Sequence, residues 1–214
     1  MRRRLSREVQ LSAWAQDAAS QPDHAVPEDW PASAGIAGAG MSPLWHGSYL
    51  SSLSASFAAV NAVRLASDIC LGARDEEELL AAAFHWREDR GYAPFRPSLR
   101  KSDWPRLLQA LCEHHKRRQG QHLCLVQPWQ TDRISREEFT TTVERVIVSR
   151  HVIATLSAGA NYSLIRGYTS FSLLLFDSGG RRWISREAIS VPDGAARKRH
   201  HLIPTATIAL CRSS

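Results

Sequence analysis

The residues best suited to chemistry lie at the start of one predicted helix and at the ends of two predicted strands. Serines crowd the helix start, at positions Ser51, Ser52, Ser54 and Ser56. Asn161 precedes the strand-like segment "YSLIRGY", and Asp177 follows "SLLLF". A nucleophile at a helix N-terminus, a base on a facing strand and a carboxylate on the next strand would form a hydrolytic triad. Asparagine does not fill the second role, because an amide cannot act as a base near neutral pH.

The first half of the chain has the pattern of three helices. Residues 50–71 are rich in Ala, Leu and Val at near-helical spacing, and the serines can cap the first turn. "RDEEELLAAAFHWRED" carries three acidic residues in its first turn, where they suit the helix dipole. "KSDWPRLLQALCEHHKRRQ" would begin at Ser102 or Asp103 and end at its basic residues and Gly120. The first of these helices would be buried and would position the serines.

The second half of the chain is mostly strand-like. "QHLCLVQ" predicts a short strand, and "SREEFTTTVERVIVSR" predicts an amphipathic helix that begins with a Ser135-x-x-Glu138 capping box. Strand-like composition then recurs in "HVIATLS", "YSLIRGY", "SLLLFDS", "RRWIS" and "LIPTATIALC". Because helices precede strands rather than alternate with them, we expect an α+β fold with a mostly antiparallel sheet.

The first 43 residues differ in character from the rest of the chain. They contain a short helical pattern, "LSREVQLSAWAQDAA", and then a passage rich in Pro, Gly, Ala and Ser that has little to bury. We therefore expect an N-terminal arm or linker over residues 1–43, partly flexible, and one domain over residues 44–214.

Composition argues against several classes of protein. No segment approaches the ~18 uninterrupted apolar residues of a membrane span, and polar residues interrupt the apolar core that a signal peptide needs. We therefore expect a cytoplasmic protein with no membrane partner.

The four cysteines form no CxxC pair, so free thiols are expected. No histidine pair has chelating spacing and no phosphate loop or dinucleotide fingerprint is present, so we expect no metal and no cofactor.

Two blocks of the sequence resemble the papain-like cysteine peptidases of the bacteriocin-leader-processing type and their small bacterial relatives. "SASFAAVNAVRLA" is similar to the later part of the family pattern "DCG…NALR", and "NYSLIRGYTSFSLLLFDSGG" is similar to "HWTVVxGY…LLLxDS". The resemblance spans roughly residues 44–210. It implies a papain-like fold, in which an N-terminal helical half packs on a C-terminal antiparallel sheet and a cleft lies between them.

The resemblance also implies where the catalytic residues should be. Counting back from Asn61 puts Ser54 where the family has its cysteine, with the register open among the neighbouring serines. Counting from the shared Gly-Tyr pair puts Asn161 where the family has its histidine. Asp177 matches the third catalytic residue, although "DSGG" is also a good turn between two strands. Two of the three residues are replaced, so the resemblance implies a degenerate site.

Other residues would lie around the same cleft. His46 stands near the place of the family's oxyanion-binding Gln, and we expect Trp45, Tyr162 and Trp183 in the cleft wall. The resulting hypothesis is a pseudoenzyme that binds a peptide or protein partner in the former substrate cleft, in an accessory or regulatory role.

Two alternatives stay open. A serine- or cysteine-type hydrolase would need His46 or His151 to replace the missing base. A module that contacts nucleic acid would use the basic runs at residues 114–118 and 197–201, and the net charge of +6 would favour such a partner. The first run also has a simpler explanation, because cations are favourable at a helix C-terminus.

Overall fold

The computed structural model describes the chain in nine pieces, which are residues 43–44, 53–67, 69, 71–92, 99–148, 152–156, 162–176, 183–190 and 200–212. All of them belong to one unit, Ser33–Ser214. The predicted arm over residues 1–43 lies outside the described residues except for Pro43.

The described residues contain four α-helices at the four places expected from the sequence, but the first, expected over residues 50–71, ends at Ala66 because Ser67 is already extended. They are α1 (Ser54–Ala66), α2 (Ala73–Glu88), α3 (Trp104–Gln119) and α4 (Arg136–Val148). The Ser67 hydroxyl accepts a hydrogen bond from the Ile69 N–H at 3.1 Å. Helix α3 ends at Gly120, which has a φ of +69° that favours glycine.

Helix α1 is the centre of the helical half. All thirteen of its residues are buried, and it packs against α2, α3 and the sheet. Its many alanines keep the helix narrow, so neighbouring elements approach it on every side. Burial of this helix agrees with its mainly apolar sequence, in which the polar residues are Ser54, Ser56, Asn61 and Arg64.

Among the described residues, six strands form one antiparallel sheet. In chain order they are β1 (Leu123–Val126), β2 (Val152–Leu156), β3 (Tyr162–Tyr168), β4 (Ser172–Phe176), β5 (Trp183–Ser185) and β8 (Ile208–Arg212). Their order across the sheet is β1-β8-β2-β3-β4-β5, and every neighbouring pair is antiparallel. A separate parallel pair, β6 (Ile189–Ser190) with β7 (His200–His201), was not expected from the sequence.

Apolar residues of the sheet alternate between two hydrophobic clusters, one on each face. Leu164 of β3 belongs to the cluster with α1, α2 and α3, whereas Ile165 belongs to the cluster with α4. In β2, Ala154 and Ile153 divide in the same way. This two-residue period places the sheet between the first three helices and α4. The fold is therefore α+β, built in three layers.

The last predicted strand is shorter than the sequence suggests. We expected strand structure over residues 202–211, but Pro204–Ala206 form a 3₁₀ turn and β8 begins at Ile208. Pro204 is the cause, because proline fixes φ and has no N–H to donate to a neighbouring strand. In the part of the chain that is described, no helix combines the length and hydrophobicity needed to cross a membrane.

Candidate functional site

The start of α1 carries two buried serines whose hydroxyl groups make no hydrogen bond in the described part of the structure. Ser54 is 4% exposed and Ser56 is fully buried, and both Oγ atoms lack a partner there. Leu53 occupies the N-cap position and provides no side-chain cap. A buried hydroxyl without a partner costs about 1–3 kcal/mol. The predicted nucleophile therefore lies at a helix start, as expected, but no base contacts it among these residues.

Asn61 and Arg64 of the first block form a buried network. The Asn61 Oδ1 accepts hydrogen bonds from the Leu44 N–H at 3.0 Å and from Arg64 at 2.9 Å. The Asn61 side-chain amide donates to the Leu44 carbonyl at 3.4 Å. Arg64 also pairs with Glu76 of α2 at 2.6 Å. Asn61 therefore attaches the segment before α1 to the middle of that helix, and Arg64 links α1 to α2.

Tyr162, which follows the predicted base position, lies in the core rather than on an accessible wall. It is 1% exposed, and its ring lies 4.6 Å from that of Trp104 between centroids. Its hydroxyl donates a hydrogen bond to the Leu99 carbonyl at 2.6 Å. Burial raises the pKa of Tyr162 far above its usual range. Tyr162 is thus a neutral phenol that joins the sheet to the start of α3.

A second buried polar group, at the end of α2, was missed by the sequence reasoning. The Tyr92 hydroxyl donates to Asp103 at 2.5 Å and accepts from the Arg100 N–H at 3.3 Å. Arg87 lies over the Tyr92 ring, 5.4 Å from its centroid. Burial, and then the hydrogen bond to Asp103, raises the pKa of Tyr92. Asp103 does begin α3 as expected, but its carboxylate binds Tyr92 instead of capping the helix.

Two aromatic side chains are exposed at the β4–β5 side of the sheet. Trp183 is 51% exposed and Phe171 is 81% exposed. Trp183 lies on β5 and pairs in register with Leu174, while the Phe171 carbonyl accepts a hydrogen bond from the Arg186 N–H at 2.9 Å. Trp183 was expected in the cleft wall, whereas Phe171 carried no signal in the sequence beyond its place in a turn between two strands.

Seven of the residues predicted for the site lie outside the described residues, namely Trp45, His46, Ser51, Ser52, His151, Asn161 and Asp177. Of the proposed catalytic set, only Ser54 is described.

The first basic run, residues 114–118, lies at the C-terminal end of α3. This position agrees with the simpler explanation, in which cations are favourable at a helix C-terminus. Arg118 pairs with Glu78 of α2 at 2.5 Å, and the chain leaves the helix at Gly120. Burial lowers the pKa of His114, and the neighbouring Arg117 lowers it further. Within the described ranges, no three His, Cys, Asp or Glu side chains are grouped so that they could hold a metal ion.

Comparison with protein-family models, with curated proteins and with solved structures gives no match to this chain.

Proposed function

We propose that this chain is a papain-like protein that has lost catalysis and binds a peptide or protein segment in the former substrate cleft. The proposal rests above all on Ser54. Its hydroxyl is buried at the first turn of the central helix and has no hydrogen-bond partner in the described part of the chain. A serine without a base is almost wholly protonated at neutral pH and is a poor nucleophile.

The arrangement of the two sequence blocks supports the papain-like part of the proposal. The first block is the fully buried α1, and the second supplies the antiparallel pair β3–β4. Helix α1 packs directly on β3, so the two blocks meet across the helix–sheet boundary. A peptidase cleft at this boundary would hold an extended chain before cleavage, and the same cleft would serve a binding protein.

The surface next to β4 and β5 supports the binding part of the proposal. Among the described strands, β5 has a neighbour on one side only, so its other edge can pair with an extended peptide. Trp183 on that strand offers an exposed ring, and tryptophan is enriched among residues that dominate binding energy. The net charge of +6 favours partners that carry acidic residues.

The test is a peptide array of extended 12-residue sequences, followed by fluorescence anisotropy on the peptides that bind. Trp183→Ala should weaken binding by at least about tenfold, the effect of losing a central aromatic contact. Val126→Ala is the matched control, because Val126 is a comparably exposed apolar residue on β1 at the opposite edge of the sheet.

The control variant should bind as the wild type does. An equal loss of peptide affinity in both variants would indicate nonspecific hydrophobic adsorption. Unchanged affinity in both variants would place the binding site away from β5. Either result would contradict the proposed surface.

A further inference from the structure

Two cysteines stand directly opposite each other in the sheet. Strands β1 and β8 pair antiparallel, and Cys124 of β1 is the register partner of Cys211 of β8. Both side chains are half-buried, and both are free thiols. The sequence showed only four dispersed cysteines, because residues 124 and 211 are brought together by strand pairing alone.

Opposed residues of antiparallel strands meet the geometric requirement for a disulfide. Their Cα atoms are ~4.5–5.5 Å apart, within the ~4.4–6.8 Å that disulfides span. Residues directly opposite each other project from the same face of the sheet. Cys124 and Cys211 alternate with Leu123 and Leu210, which belong to the cluster on the α1 side. The two thiols therefore lie on the α4 face.

That face is less completely covered at the β1 edge than at its centre. Helix α4 packs on β2 and β3, whereas Val126, which shares a strand with Cys124, is 48% exposed. The third described thiol differs, since Cys112 of α3 is 2% exposed and burial raises its pKa to about 12. A small oxidant can therefore reach the β1–β8 pair while Cys112 stays protonated and enclosed.

We propose that Cys124 and Cys211 are a site of reversible disulfide formation by low-molecular-weight disulfides. One thiolate attacks the oxidant RSSR, which gives a mixed disulfide and releases one RS⁻. The second cysteine then displaces the remaining RS⁻ and forms the Cys124–Cys211 bond. In total the two protein thiols lose two electrons and two protons, and RSSR is reduced to two RSH.

The Cys124–Cys211 disulfide would link the edge strand β1 to the interior strand β8. Strand β1 is at the edge, and β8 lies between β1 and β2. The closed loop would contain α4 and every strand from β2 to β7. A loop of this size removes much conformational entropy from the unfolded chain. The oxidised protein should therefore melt roughly 5–15 °C higher than the reduced protein.

The sequence allows an unambiguous test, because trypsin separates all four cysteines. Cys124 and Cys211 fall in the peptides 119–133 and 200–212, and Cys70 and Cys112 fall in 65–74 and 107–116. The full chain is treated with oxidised glutathione, digested without reduction and analysed by mass spectrometry. We expect peptide 119–133 linked to 200–212 and the loss of two of the four thiols.

The matched variants distinguish this pair from other thiol chemistry. Cys124→Ser and Cys211→Ser should each lose the linked peptide and retain glutathione on the remaining cysteine, since the opposing thiol that would displace it has been removed. Cys112→Ala should still form the link. Three outcomes would overturn the proposal. They are an unchanged thiol count, a disulfide link that involves peptide 65–74 or 107–116, and a link found only between two chains.

Discussion

At the scale of single residues, Asn61, Arg64 and Gly167 of the two sequence blocks serve the fold. Asn61 holds the Leu44 backbone, and Arg64 pairs with Glu76. Gly167 of the second block sits at an irregularity in the β3–β4 pairing, where a Cβ would come within 3.0 Å of the Leu174 side chain. Each of these roles is needed whether or not catalysis survives. Ser54 is different, since its buried hydroxyl has no partner in the described part of the chain.

The absence of a base next to Ser54 among the described residues predicts that the protein does not react with active-site serine probes. A fluorophosphonate probe requires an activated hydroxyl, and Ser54 is both buried and without a hydrogen-bonded histidine among the described residues. In-gel fluorescence should show equal background labelling of the wild type and Ser54→Ala. Labelling that depends on Ser54 would favour a hydrolase and contradict the pseudoenzyme proposal.

At the scale of elements, the sequence predicted the local structure well and the contacts between elements poorly. The hydrophobic spacing of α1 and the strand-like composition of β2 and β3 are local patterns, and the structure confirms each of these elements. The Tyr92–Asp103 hydrogen bond and the pairing of Cys124 with Cys211 depend on packing between distant parts of the chain, which local spacing does not encode. For the same reason Tyr162 was expected in a cleft wall and is found in the core.

Two buried polar residues of α1 should respond differently to substitution by alanine. Asn61→Ala removes the hydrogen bonds to Leu44 and Arg64, so the free energy of unfolding should fall by about 1–3 kcal/mol. Ser56→Ala removes a fully buried hydroxyl that has no partner among the described residues, so stability should stay the same or rise by up to ~1 kcal/mol.

Urea denaturation followed by circular dichroism measures both changes on the same helix. Each variant replaces a fully buried polar side chain of α1 with alanine, and the two differ in the hydrogen bonds lost and in the larger volume removed at Asn61. A similar loss of stability in the two variants would mean that the Asn61 network contributes little.

At the scale of the whole molecule, Asp132 joins three segments that are far apart in the chain. It lies between β1 and α4, accepts a hydrogen bond from the Thr205 N–H at 2.8 Å and another from the Thr205 hydroxyl at 2.6 Å. Its other oxygen pairs with Lys101, before α3, at 2.7 Å. One carboxylate thus connects the helical half, the loop before α4 and the turn that leads into β8.

This connection predicts a stability that depends on pH. Burial raises the pKa of Asp132, but the hydrogen bonds from Lys101 and Thr205 outweigh burial, so the pKa is lower in the folded protein than its ordinary value of 3.8. Proton release then favours the folded state. The stabilisation is complete above the ordinary pKa and is lost as the pH falls through the lower, folded value.

Asp132→Asn should therefore lower the melting temperature by roughly 2–8 °C at pH 7, which corresponds to about 1–2 kcal/mol for the lost charge. Asparagine keeps the shape and can still accept from Thr205, so the variant tests the charge rather than the packing. As melting curves are recorded from pH 6 down to about pH 2, the difference from the wild type should stay constant above the ordinary pKa and shrink below it, because the wild-type carboxylate becomes protonated only there. Asp89→Asn, at an exposed site after α2, should show no such loss. If the melting temperature of Asp132→Asn stays below that of the wild type by the same amount at every pH, the carboxylate charge does not stabilise the folded protein.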